Sequence, residues 1–116
     1  MNEKSIKEFL INGIRCGDES YTVSYKSLAA HFGFSWDRAT KAALEVMLGS
    51  LSTMEFNEGR PLISSVVVSE RYGVAGKGFN RLAVELGKQS NRGKDEDISF
   101  SLTESQKTRD YWKGHS

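Results

Sequence analysis

Residues 22–47 read TVSYKSLAAHFGFSWDRATKAALEVM, and the parsing of this stretch decides the fold. Tyr21 to Ser24 alternates β-prone residues, the pattern of a short strand. From Tyr25 to Phe32 the spacing turns helical, with Leu28, Ala29 and Phe32 on one stripe, and Gly33 breaks it as a residue just past a helix C-terminus does. Ser35 reads as the N-cap of a second helix, with Asp37 in the first turn where the helix dipole favours an acid. That helix is expected to run to about Leu51, with Ala39, Ala43, Val46 and Ser50 on one side, extended by Leu44, Met47, Leu48 and Leu51. Arg38, Lys41 and Glu45 recur on the opposite, outward stripe. Strand, helix, glycine turn, helix is the order of a helix-turn-helix, in which one short helix can enter a DNA groove while its predecessor braces it on the backbone.

Working outward, Ile6, Phe9, Leu10 and Ile14 share one side of an amphipathic helix over residues 3–15, ended by Gly17. Pro61 to Ser69 reads as a strand with Leu62, Ser64, Val66 and Val68 on one face and Ile63, Ser65 and Val67 on the other. Glu70 to Gly78 is hairpin-like, and Gly73, Gly76 and Gly78 suit a wing loop or an anion-binding loop. Phe79, Leu82, Ala83 and Leu86 return to helical spacing, closed by Gly87. Lys88 to Asp97 is polar and aperiodic, the composition of a flexible link. Beyond it, Ile98, Phe100, Leu102, Tyr111 and Trp112 predict a strand-like piece and a terminal helix from about Thr103. The expected fold is α+β, a winged-helix-like helix-turn-helix with a short sheet and a C-terminal helix. Its organisation is a domain over 1–87, a link over 88–97, and a tail over 98–116 packing back on the domain.

A chain of 116 residues with 38% hydrophobic content closes one ordinary core. Sixteen basic and fifteen acidic residues give a formal charge of +1, so a polyanionic partner is neither demanded nor forbidden by net charge. Cys16 is the only cysteine, which rules out an intramolecular disulfide and a cysteine-based zinc cluster. Together with a start unlike a signal peptide, this predicts a cytoplasmic protein. The longest apolar runs, such as Val66-Val67-Val68, fall far short of the roughly 20 residues that span a bilayer, so no membrane partner is expected. His31 and His115 have no cysteine, histidine or carboxylate at ligand spacing, and no metal or other cofactor is expected. No nucleophile–base pair or carboxylate pair stands out, which predicts a protein that is not an enzyme. Cys16 itself, after an apolar helix, reads as a small buried or half-buried thiol.

Val23-Ser24-Tyr25, Leu28-Ala29-Ala30, Gly33, Arg38-Ala39, Ala43 and Met47, followed by Pro61, Val67-Val68 and Gly76 to Gly78, form an ordered set over residues 22–87. That set resembles the winged-helix DNA-binding domain of the O6-alkylguanine-DNA alkyltransferases and the alkyltransferase-like proteins. The resemblance implies that Arg38 is an intercalating arginine at the head of a recognition helix and that Tyr25 lies beside the target phosphate. It also shows a departure: where the family carries a Pro-Cys-His-Arg strand, this chain reads Pro61-Leu62-Ile63-Ser64, so alkyl transfer is not implied. The segment from Leu48 to Arg60 is longer than in the family. The Arg60-Pro61-Leu62, valine-strand, Gly76-Lys77-Gly78-Phe79 order is also similar to that of small bacterial and phage proteins, a resemblance that implies no activity.

The candidate site residues for nucleic acid or an anion are Tyr25, Trp36, Arg38, Lys41, Arg60 and Lys77. Each has a plainer reading beside the functional one. Tyr25 can be half-buried core with a wet hydroxyl, and Trp36 can staple the helix to the turn rather than stack on a base. Arg38 and Lys77 can be solvated surface, because Gly76-Lys77-Gly78 lacks the spacing of a phosphate-binding Walker loop. Arg60 gains meaning only if it shares a cleft with Lys77. The leading expectation is a non-enzymatic nucleic-acid-binding module. The alternative is a small regulatory or interaction protein that binds a protein partner or a small anionic, nucleotide-like ligand, with Leu48, Leu51, Met54 and Phe56 as a face for a partner or a homodimer.

Overall fold

Side-chain caps set where the helices begin. In the computed structural model, which describes residues 1–114, the chain runs α1 (Glu3–Cys16), β1 (Val23–Ser24), α2 (Tyr25–His31), α3 (Arg38–Asn57), a 3-10 turn (Ile63–Val66), β2 (Val67–Val68), α4 (Lys77–Glu85) and α5 (Lys94–Gly114). His115 lies outside the described residues. Asn2, Ser24 and Asp37 each accept a backbone N–H from three residues ahead, at 2.8, 3.0 and 2.8 Å, and so satisfy an amide that the first helical turn leaves without a partner.

The fold is helix-rich α+β. Its one sheet, among the described residues, is the parallel pair of β1 and β2, with Val23 opposite Val67 and Ser24 opposite Val68. Parallel strands need a long crossover, and here α2 and α3 supply it. The core closes around the segment that follows: Ile63, Val66 and Val67 are fully buried with Ile6, Leu10 and Ile14 of α1, Leu28 of α2 and Leu44 of α3, while Leu62, also fully buried, packs with Ala75, Phe79 and Ala83 in a second cluster. Each fully buried leucine, isoleucine or valine contributes about 1.5–3 kcal/mol of burial. Gly13 belongs to this packing for a steric reason, since a Cβ there would fall inside the Tyr21 ring. Among the described residues no helix is long and apolar enough to cross a membrane.

Several expectations are corrected. Helix α3 begins at Arg38 rather than after Ser35, because the Asp37 carboxylate takes the Thr40 amide. It continues to Asn57, because its buried face is Leu44, Leu48, Leu51, Ser52 and Glu55, and the last two carry it past the apolar pattern. Ala39, Ala43 and Val46 therefore face solvent. The 61–69 strand shrinks to Val67–Val68, preceded by the 3-10 turn in which Ser65 N–H reaches Leu62 O at 3.1 Å. Alternation fails there because both serines are buried and bonded: Ser64 to Ser52 at 2.6 Å and Ser65 to Thr108 at 3.0 Å. No strand-like piece forms at residue 98. Helix α5 starts at Lys94, with Asp95, Glu96 and Asp97 in its first turn where they complement the helix dipole. Cys16 is exposed, since the stripe Ile6, Leu10 and Ile14 takes the inward face and leaves the thiol to bond Asn12 at 3.6 Å.

Candidate functional site

The turn between α2 and α3 is fixed at both ends. Gly33, at φ +83°, follows the last residue of the helix cap, and the amides of Phe32, Gly33 and Phe34 reach Ala29 O, Ala30 O and Ala29 O at 3.1, 3.0 and 3.0 Å. At the far end the Asp37 cap starts α3. That carboxyl sits below the usual range because the Thr40 backbone N–H bonds it, so its charge is directed at the helix start. Within this frame the three rings divide. Phe32 turns inward, edge-on to His31 at 4.9 Å and Phe9 at 6.0 Å, while Phe34 stays 44% exposed and Trp36 38% exposed. Arg38 and Lys41 follow immediately, both on the surface.

Tyr25 is the meeting point of three elements. Its hydroxyl accepts the Gly76 N–H at 3.0 Å, just ahead of α4, and Glu45 of α3 acts on it electrostatically. Burial raises the phenol above its ordinary value, outweighing the Gly76 bond that lowers it, and the Glu45 charge adds to the rise. Tyr25 thus keeps its proton at neutral pH and ties the glycine loop to α2. Lys41 lies one helical turn before Glu45, and Lys77, exposed, adjoins Gly76. The same loop is tied again through Ser24, whose hydroxyl donates to Glu70 at 3.1 Å, and it closes on itself by Ser69 N–H to Val74 O at 2.9 Å. Removing the hydroxyl with Tyr25→Phe is expected to cost about 1 kcal/mol and lower the melting midpoint by about 4 °C, since Gly76 loses its acceptor. A thermal melt superimposable on the wild type would show that the clasp contributes nothing.

Two further groups escaped the sequence reading. Phe34 shares the turn with Trp36, and on the glycine loop Arg71 lies 5.4 Å over the ring of Tyr72, itself 69% exposed. The available signal was a large ring in a short glycine-bounded loop next to a cation.

Tyr25 is taken up by its bond to Gly76, beside which Lys77 follows in the chain, while Trp36 lies on the α2–α3 turn and Arg38 and Lys41 on the first turns of α3. Arg60 is engaged elsewhere. Its guanidinium pairs with Glu55 and lies 6.0 Å over Trp112, and that contact with Glu55 raises its already high pKa. Lys7 reaches the other Glu55 oxygen at 2.5 Å. Leu48 and Leu51 are likewise core, leaving Met54 and Phe56 exposed from the proposed partner face. An open depression of about 500 Å³ beside α5 holds Lys88, Asp95 and Glu96, but Lys88 is already paired with Glu104 at 2.6 Å. Mixed charges with the cation engaged make a poor anion site there. No protein-family model, curated protein or solved structure matches this chain, so the reading of the site rests on its own geometry.

Proposed function

We propose that this chain is a non-enzymatic nucleic-acid-binding module of winged-helix type. The observation that carries the reading is the rigid α2–α3 turn, which presents two exposed rings directly before the exposed cations Arg38 and Lys41. Cations at a helix head contact phosphates, and rings beside them contact bases. The order of β1, α2, turn and α3 supports the helix-turn-helix part. The 70–76 loop, tied to Ser24 and Tyr25 and carrying Arg71 and Tyr72, is read as the wing. The reading without alkyl transfer is supported by Pro61-Leu62-Ile63-Ser64: Leu62 carries no nucleophile, and the Ser64 hydroxyl is buried against Ser52.

The test is binding of a labelled oligonucleotide across salt concentrations. Affinity is expected to fall with salt with a slope of about −0.9 per neutralised phosphate, and the Arg38→Ala/Lys41→Ala double variant to flatten that slope by about 2. Salt-independent binding, or an unchanged slope in the double variant, defeats the reading. A small anionic ligand is less well supported, because the Gly76 N–H such an anion would use is already bonded to Tyr25. A protein partner or second copy is favoured by Met54 and Phe56 near the end of α3, but Val46 and Leu102, among the other exposed apolar side chains, lie on different parts of α3 and α5.

A further inference from the structure

Resting on that reading, we infer that the module takes unpaired nucleotides, stacking their bases on Phe34 and Trp36. In a duplex the faces of the bases are covered by their neighbours, and a protein that leaves the stack intact reads their edges, with hydrogen-bonding side chains. Phe34 has no polar atom and Trp36 has one donor, so this pair is poorly made for edges. Their ring faces match the faces of bases that have left the stack, which is the chemistry of single-strand binding.

The backbone that carries the rings is already ordered. Three amide bonds and the positive φ of Gly33 fix the start of the turn, and Asp37 fixes its end, so little order has to be imposed when a base arrives. Phe32 in the same turn is drawn inward onto Phe9, which shows that an inward position exists for a ring here and that Phe34 does not take one. Charge selects the occupant. Arg38 and Lys41 lie within five residues of Trp36, and the one acid between them, Asp37, is directed at the helix start. A chain of planar groups linked by phosphates is complementary to that run of ring, ring, capping acid, cation, cation, with the next acid, Glu45, a helical turn further on. Single-stranded DNA and RNA share this chemistry.

The experiment uses the whole chain with three labelled oligonucleotides of one sequence: single-stranded DNA, its RNA counterpart, and a blunt duplex. Trp36 is exposed while Trp112 is 8% exposed, so quenching of the solvent-exposed part of the tryptophan emission reports on Trp36. Single strands are expected to bind about tenfold or more tightly than duplex and to quench that emission. Trp36→Ala should weaken single-strand binding about tenfold, Phe34→Ala several-fold, and Trp36→Phe should retain most of the affinity. The DNA and RNA arms tell which strand is preferred. If duplex binds as well as single strands with a normal salt slope, and Trp36→Ala is silent, stacking is wrong while nucleic-acid binding stands. If no oligonucleotide binds, both fall.

Discussion

Arg60→Met is expected to lower the unfolding free energy by about 3 kcal/mol in urea titration, while leaving oligonucleotide affinity of the folded protein unchanged. The Glu55 side chain is 1% exposed and shares its charge between Arg60 and Lys7, whose side chains are 25% and 29% exposed. Removing the arginine strands a buried carboxylate with one cation, and breaking a buried pair costs about 3–5 kcal/mol. The lower end applies because the arginine was itself partly in water. Glu55→Leu together with Arg60→Met should recover most of the loss, since both charges leave and methionine keeps an apolar side chain over Trp112. Two results would overturn this account: a cost below about 1 kcal/mol for the single variant, or a double variant no better than the single. A drop in nucleic-acid affinity would instead return Arg60 to the interface, from which its contacts with Glu55 and Trp112 separate it.

The reason Arg60 misleads as a sequence feature is that its partner lies on a stretch of α3 that hydropathy does not reveal. Ser52 and Glu55 occupy the buried face there, so the apolar period stops near Leu51 although the helix does not. Helix α5 hides for the same reason: Ser101, Glu104, Ser105, Thr108 and Arg109 are its buried positions, and a periodicity built on hydrophobic residues is blind to them. Their partners are polar groups that hydropathy does not mark, some far away in sequence, as when Glu104 accepts the Leu62 N–H at 2.8 Å and Thr108 donates to Leu62 O at 3.1 Å. By contrast α1 is legible because Ile6, Leu10 and Ile14 repeat at four-residue intervals, and the end of α2 because only a residue tolerant of positive φ fits at Gly33. The head of α3 lay two residues from its expected place because Ser35 and Asp37 are both competent caps, and the charged one forms the cap. Arg38 and Lys41 are legible as a charged helix head, whereas Trp36, read from the Ser35 cap as the first helical residue, lies on the turn before the Asp37 cap. Phe34 and Tyr72 are not legible, because a ring destined for water looks the same in sequence as one destined for the core.

Asn80→Leu is expected to destabilise the fold by about 3 kcal/mol and to release residues 88–93, which composition alone reads as a link. Asn80 is 2% exposed, and its amide nitrogen faces Gln89 Oε1 at 2.9 Å, Asp97 O at 3.1 Å and Ser101 Oγ at 3.3 Å. Gln89, also buried, passes the connection on by donating to Asn91 O at 2.8 Å and to the Asp97 carboxylate at 2.6 Å. Leucine supplies volume but no donor, and each buried acceptor left unpaired costs about 1–3 kcal/mol. The segment can recover part of that loss by peeling into water, so amide exchange over 88–97 should accelerate much more than exchange in α1 to α3. Asp97 gives a second readout. Burial alone would raise its carboxyl, but bonds from Arg92 and Gln89 more than offset this and leave it lowered. A lowered folded value stabilises the protein above the unfolded value near 3.9, and that stability is lost as pH falls through the folded one. The variant, with Gln89 no longer held in place, should lose less stability over that acid interval than the wild type does. Unchanged exchange over 88–97 together with an unchanged acid profile would mean that Asn80 does not hold this tract and that charge and polarity alone describe it.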